Sequence, residues 1–382
     1  MIDRLLEDVI VEDLSWSPIV GVIGPRQVGK TTLVQELVPR IIKGCVYLDM
    51  ELPSDYRRLE DAESYLAPLK NQCVIIDEVQ LVPTLFPLLR ALVDQHRQPG
   101  RFIILGSAAP HVVRQIIETL AGRITYHELS PFSSSEVLPG ISQQTHWFRG
   151  GFPGALLSRN ERISRRWLED FIQTFIQRDL SRLGFAIPLT TMRRLIEMLA
   201  HLNGHLLNLS TLGKSLGVTH NTVARYLELL EGSFLIRRLA PYHANLGKQL
   251  VRSPKIFFRD TGLLHHLLGI ENYDRLRGNP AVGNSWEAYV LEQIIREAPE
   301  FSKFHFYRTR SGAEIDLLMT RPDGEKWAVE VKLSASPKVT RGFWTALEDV
   351  NADRAFIIAP VGEGYAYREA EVLSVEAFLR LL

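Results

Sequence analysis

Residues Gly24 to Thr31 read GPRQVGKT, a turn punctuated by glycine and closed by lysine and threonine. The spacing G-x-x-x-x-G-K-[ST] has a mechanical meaning. A loop that turns its backbone N–H groups inward onto phosphate oxygens needs glycine wherever a Cβ would intrude. Gly24, Pro25, Arg26, Gln27, Val28, Gly29, Lys30, Thr31 and Thr32 would line that cradle. Lys30 is placed to reach the β and γ phosphates of a nucleotide, and the Thr31 hydroxyl to ligate Mg²⁺. The following helix would aim its positive end at the same anion. A second chemical element follows in VIIDEVQ, where four apolar residues from Cys73 to Ile76 end in Asp77 and Glu78. Open parallel sheets place ligands at the C-terminal ends of their strands, so Asp77 would face the metal held by Thr31 and Glu78 would polarise an attacking water.

Two further residues have open roles. Ser107, at the tip of the apolar run FIIL, either senses the terminal phosphate and positions the water or caps a helix starting near Pro110. Arg123, in AGRI, is either a surface cation or a group that completes a neighbouring site in trans. GPRQVGKTTL, VIIDEVQ, ILGSA and AGRI in this order resemble the ATPase core of the AAA-type group of archaeal and bacterial ATPases that carry a C-terminal domain of unknown function. The resemblance implies ATP and Mg²⁺ as ligands, hydrolysis with Glu78 as the water-activating residue, and a parallel sheet ordered 5-1-4-3-2. It also implies a small helical domain over the nucleotide site, carried by GGFP and QRDL, with Arg178 as a second arginine candidate.

A third constellation lies near the C-terminus. AEIDLLMT (Ala313 to Thr320) and KWAVEVK (Lys326 to Lys332) are joined through Pro322-Asp323-Gly324, which reads as a hairpin. Acids interrupt both strands. Asp316 lies mid-strand, and Glu330 and Lys332 share one face of the next because strand side chains alternate. Two carboxylates and an ammonium near one point suit metal-dependent phosphodiester cleavage, with Glu287 of the preceding helix as a third acid. Asp316, Glu330 and Lys332 resemble the PD-(D/E)xK nuclease motif, although no proline precedes Asp316. The alternative is a polar strand face in which Lys332 simply pairs with Glu330 or Asp316.

The elements that must position these residues follow from periodicity. Ile19 to Ile23, Cys45 to Leu48, Cys73 to Ile76, Phe102 to Leu105 and Ile124 to Leu129 read as strands, and Thr84 to His96 as an amphipathic helix. FRGGFP (Phe148 to Pro153) marks a boundary, and Glu161 to about Leu183 a helix with an aromatic face. Ser210 and Thr219 are expected to cap two helices, Thr211 to Leu216 and Asn221 to Leu230, around a turn at Gly217. That spacing suits a helix-turn-helix with FLIRRL (Phe234 to Leu239) as the strand of a wing. His220, Asn221, Thr222 and Arg225 would face DNA. Between Arg237 and Asp260, six Lys or Arg residues stand against one acid, a local patch for phosphate. The competing use of this module is as a spacer or protein-docking element. Four regions result: an α/β P-loop core (1–135), a helical lid (136–205), a winged helix-turn-helix (206–254) and an α/β restriction-nuclease-like domain (255–382).

Composition sets the outer bounds. With 382 residues, 46% hydrophobic and 23% charged, the chain is that of an ordinary multi-domain globular protein. Its formal net charge of zero excludes a global field for nucleic acid, so any DNA surface must be local. Cys45 and Cys73 lie in apolar runs as buried thiols rather than zinc ligands. MIDRLLEDVIVEDL lacks the basic and apolar regions of a signal peptide, and no run is long enough to span a membrane. A cytoplasmic protein that binds ATP and DNA and assembles as a homo-oligomer is the expectation.

Overall fold

The computed structural model describes residues 2–107, 119–138, 140–180, 187–243 and 250–382. Its contacts divide the chain into two compact units, Met1–Phe132 with Glu228–Phe234, and Ser133–Leu227 with Leu235–Leu382.

In the first unit, β1 (Ile19–Gly24), β2 (Cys45–Asp49), β3 (Cys73–Asp77), β4 (Phe102–Ser107) and β5 (Ile124–Glu128) form a single parallel sheet ordered β2-β3-β4-β1-β5. Read from the β5 edge this is 5-1-4-3-2, with β4 lying between the strand that feeds the glycine turn and the strand that ends in Asp77. The central strands are apolar without alternation because both faces are covered: Val20, Val22, Ile75, Ile103 and Leu105 are all buried. One covering helix, Lys30–Leu37, buries Leu33, Val34 and Leu37, and Leu85–Gln95 buries Leu85, Phe86, Leu89, Leu92 and Val93. Cys45 and Cys73 pair across β2 and β3 as free thiols. Burial pushes the Cys73 thiol up to about 12. The helix expected from near Pro110 lies outside the described residues.

In the second unit, β6 (Ile236–Leu239) pairs antiparallel with β7 (Lys255–Phe258), so the wing strand finds its partner beyond residue 254. A six-stranded sheet, ordered β12-β13-β11-β10-β9-β8, contains β8 (Lys303–Arg308), β9 (Glu314–Thr320), β10 (Lys326–Val331), β11 (Arg354–Ile358), β12 (Tyr365–Tyr367) and β13 (Ala370–Leu373). The Pro-Asp-Gly hairpin forms as expected, with Lys326 opposite Thr320. The helix Val282–Glu297 packs Trp286, Tyr289, Val290 and Ile294 onto one face of this sheet, and Arg341–Val350 packs Phe343 and Ala346 onto the other.

Local chemistry corrects several expectations. The first helix of the helix-turn-helix is Leu209–Leu216, and its cap is Asn208, whose side chain accepts from Thr211 N at 3.0 Å; Ser210 falls inside the first turn. Thr219 does cap the second, accepting from Thr222 N at 3.2 Å ahead of His220–Gly232. Gly217 takes the left-handed conformation (φ +70°), and a Cβ on Gly213 would lie 2.7 Å from Val218 O. The long aromatic helix, expected to run to Leu183, is α-helical over Glu161–Thr174 and continues as a π-helical turn, Phe175–Asp179, that contains Arg178; Leu183 is not among the described residues.

Candidate active site and an acidic cluster

The glycine turn leaves β1 and enters the helix Lys30–Leu37 through backbone that only glycine makes cheap. Gly29 has φ +100°, and a Cβ on Gly24 would stand 2.2 Å from Leu129 O. Arg4 braces the loop from behind, donating to Val28 O at 3.2 Å and to Ser130 O at 2.5 Å. Lys30 is buried, with Nζ donating to Gly24 O at 3.1 Å and Pro25 O at 2.9 Å. Burial lowers its ammonium to about 8, against the upward pull of the Glu78 and Asp77 carboxylates. An ammonium so placed is held ready for a strongly anionic ligand.

The two halves of the expected site meet. The Thr31 hydroxyl donates to Asp77 Oδ2 at 2.6 Å, and Glu78 N donates to Asp77 Oδ1 at 2.8 Å. A hydroxyl beside a carboxylate, next to a buried lysine, is the hard-oxygen donor set that fits a phosphate-bound Mg²⁺. Arg26 reaches Glu51 at 3.1 Å. Ser107 joins the site, its hydroxyl donating to Glu78 Oε2 at 3.2 Å.

Two contributors went unread in the sequence. Tyr47, near the end of β2, donates its hydroxyl to Asp77 Oδ2 at 2.6 Å; burial and this bond to Asp77 raise its phenol. Gln80 donates from its amide to Glu78 Oε2 and to Ser107 Oγ, the latter at 2.9 Å, so it bridges the tips of β3 and β4. The only cue for Gln80 was its place two residues after Glu78, whose backbone turns left-handed (φ 53°). Arg123 is not brought to this site. It precedes β5 at the N-terminal edge of the parallel sheet, opposite the glycine turn, and grips Asp94 with Nε at 2.6 Å and Nη2 at 2.8 Å.

In the second unit the expected metal set is rearranged by a residue the sequence placed in the phosphate patch. Lys255 Nζ lies 3.0 Å from Glu314, 3.2 Å from Glu287 and 3.6 Å from Asp316. The expected Lys332 pairs with Glu330 Oε1 at 2.5 Å, which is the salt-bridge alternative. Burial, with Asp316 nearby, raises the Glu330 carboxyl to about 8 and that of Glu287 to about 7. Among the described residues, no group of three or more His, Cys, Asp or Glu side chains is gathered as a metal ion requires. Glu287, Asp316 and Glu330 as arranged therefore do not fit a bound metal, because an ammonium stands among them.

The phosphate patch is depleted for a similar reason. Arg237 grips the buried Glu292 with Nε at 2.5 Å and Nη2 at 3.1 Å, and Arg259 Nε reaches the same carboxylate at 3.4 Å. Burial alone would raise the Glu292 carboxyl; Arg237 and Arg259 outweigh it and hold it down at about 2. Lys248 lies outside the described residues. Asp260 caps Thr261–Leu267 by accepting from Leu263 N at 3.0 Å, and it also accepts from Gly151 N at 2.7 Å, which ties the FRGGFP turn to β7. On the second helix of the helix-turn-helix, His220, Asn221 and Arg225 are exposed.

Residues 17–138 match the AAA domain model, residues 140–274 a domain of unknown function (DUF8612) and residues 282–378 another (DUF4143). The chain shares its fold with the Walker-type ATPase PABY2304 of Pyrococcus abyssi, at TM-score 0.50 and 16% identity, over 70% of this chain and 96% of that one. No helix among the described residues is long and apolar enough to cross a membrane. Two uncharacterized proteins, Mb2031c of Mycobacterium bovis and Rv2008c of Mycobacterium tuberculosis, are each 42% identical over 348 residues, which is 91% of this chain and 77% of theirs. The chain thus carries an AAA domain over residues 17–138 and belongs to the family of these two mycobacterial proteins.

Proposed function

We propose that the chain hydrolyses ATP at the Gly24–Thr31 loop and uses the nucleotide state to control its C-terminal modules. The observation that carries this reading is the 2.6 Å bond between Thr31 and Asp77, which joins the phosphate loop to the acidic strand end beside Lys30. Lys30 neutralises the terminal phosphates, Thr31 and Asp77 hold Mg²⁺, and Glu78, oriented by Gln80 and Ser107, takes the proton of the attacking water. The Mg²⁺ ion supplies charge neutralisation on the phosphate oxygens. Steady-state phosphate release tests the proposal: Lys30→Ala and Glu78→Gln should both fall to background, with Glu78→Gln still binding nucleotide. Wild type no faster than Lys30→Ala overturns it.

For the output we propose DNA, contacted by the exposed start of the helix His220–Gly232, with the helix-turn-helix at 206–254 and a lid at 136–205. Assembly into a homo-oligomer accords with this reading, and a cytoplasmic location accords with two free thiols. Arg225→Ala should weaken DNA binding on all sequences alike and lower the salt slope by about one. A second reading is a regulatory nucleotide switch whose C-terminal modules bind proteins and whose nuclease-like domain is inactive. Lys255 among the acids favours it, and unchanged DNA affinity in Arg225→Ala would select it.

A further inference from the structure

A divalent ion needs several oxygens at about 2.0–2.6 Å, and an ammonium bonded to those same oxygens takes its place. Around Lys255 the oxygens are of the right kind but stand at ammonium distances, 3.0 Å to Glu314, 3.2 Å to Glu287 and 3.6 Å to Asp316. The lysine is no loose surface cation. Its side chain is 4% exposed, and its backbone is fixed twice, by pairing with Leu239 in the wing hairpin and by the bond from Leu207 N to the preceding Pro254 O at 2.8 Å.

The acids are equally fixed. Asp316 Oδ2 accepts from Val331 N at 2.9 Å, Glu287 sits on the helix Val282–Glu297, and Glu314 also meets Arg308 at 3.5 Å. An independent sign that this place is built for a cation comes from Glu330. Its side chain is 8% exposed, Oε1 is taken by Lys332, and Oε2 is buried with no hydrogen-bond partner among the described residues. A buried carboxylate oxygen left bare costs free energy that a divalent ion would recover. Cation and acids also come from different modules: Lys255 lies within the 140–274 match, and Glu287, Glu314, Asp316 and Glu330 within the 282–378 match.

We infer that Lys255 is the resident cation of this cluster, standing in the place of a divalent ion, and that an uncharged side chain of the same length opens Glu287, Glu314, Asp316 and Glu330 to a hard divalent cation. Entry of such an ion into the wild-type protein then requires β7 to carry the lysine away.

Electron paramagnetic resonance of free Mn²⁺, titrated with the nucleotide-free full-length chain, tests this. Wild type and Asp316→Asn should take up equal amounts of Mn²⁺. Lys255→Met should take up an additional Mn²⁺ per chain, lose it when combined with Asp316→Asn, and melt at higher temperature as Mn²⁺ is added. Mn²⁺ uptake by wild type that Asp316→Asn lacks would overturn the inference, and that comparison stands even where Lys255→Met does not fold. A folded Lys255→Met that gains no Mn²⁺ would overturn it as well.

Discussion

Replacing Lys30 by alanine removes the buried ammonium that donates to Gly24 O and Pro25 O, and the turnover of ATP should drop by about a hundredfold or more, the scale seen when one preorganised charge donor is lost. Gln80→Ala acts through another residue. It removes the amide that orients Glu78 against Ser107, so kcat should fall roughly tenfold while nucleotide affinity, followed by equilibrium titration, stays put. Equal losses in affinity and rate would mean that Gln80 merely supports the loop. At this scale the residues with a motif were legible and their partners were not. Gly24 to Thr31, Asp77 and Glu78 are fixed by a spacing that the chemistry dictates. Tyr47 and Gln80 serve the same carboxylates from positions that no spacing rule reaches. For Arg123, AGRI gives the residue type but not the edge of the sheet on which it falls; within its own chain it pairs there with Asp94 as a surface cation.

Between elements, the helix Val282–Glu297 and the β6–β7 hairpin are held by Glu292 with Arg237 and Arg259. A carboxyl held near 2 contributes stability that is complete above its ordinary value of 4.5 and disappears as pH falls from there through 2. Urea unfolding across that interval should show wild type losing roughly 3 kcal/mol that Glu292→Gln never had, and Glu292→Gln should be destabilised at neutral pH by about as much. A parallel pH dependence in both proteins would refute the assignment. The FRGGFP turn offers a second test. Gly150 has φ +74°, and a Cβ there would lie 2.1 Å from Asp260 Oδ1, so Gly150→Ala should lower the unfolding free energy by roughly 2 kcal/mol. The strands of the parallel sheet, the Pro-Asp-Gly hairpin of the second sheet and the two helices around Gly217 were readable because periodicity and turn residues are local, whereas β11, β12 and β13 went unread. The pairing of β6 with β7 was not, since a wing strand and its partner are joined only in space.

Across the whole molecule the formal net charge is zero, with 44 basic and 44 acidic residues. The sequence therefore left only local patches, and it counted cations without seeing their partners. Arg237, Lys255 and Arg259 are spent inside the second unit on Glu292, Glu287, Glu314 and Asp316. A DNA surface would draw instead on exposed residues such as Arg225, so its salt dependence should be shallow: with one or two phosphates contacted, raising ionic strength from about 0.05 to 0.2 M should weaken binding by only about 3- to 12-fold. A loss of about a thousandfold or more over this range would point to a broader basic face than the helix-turn-helix supplies.

The division of Lys255 from its acids along the chain bears on how such proteins are dissected. A fragment expressed from about residue 282 onward keeps Glu287, Glu314, Asp316 and Glu330 but discards Lys255. Stripped of it, the acids would scavenge divalent ions from the buffer at a place where the intact chain holds an ammonium. Activity measured on the piece would then report the cut rather than the protein.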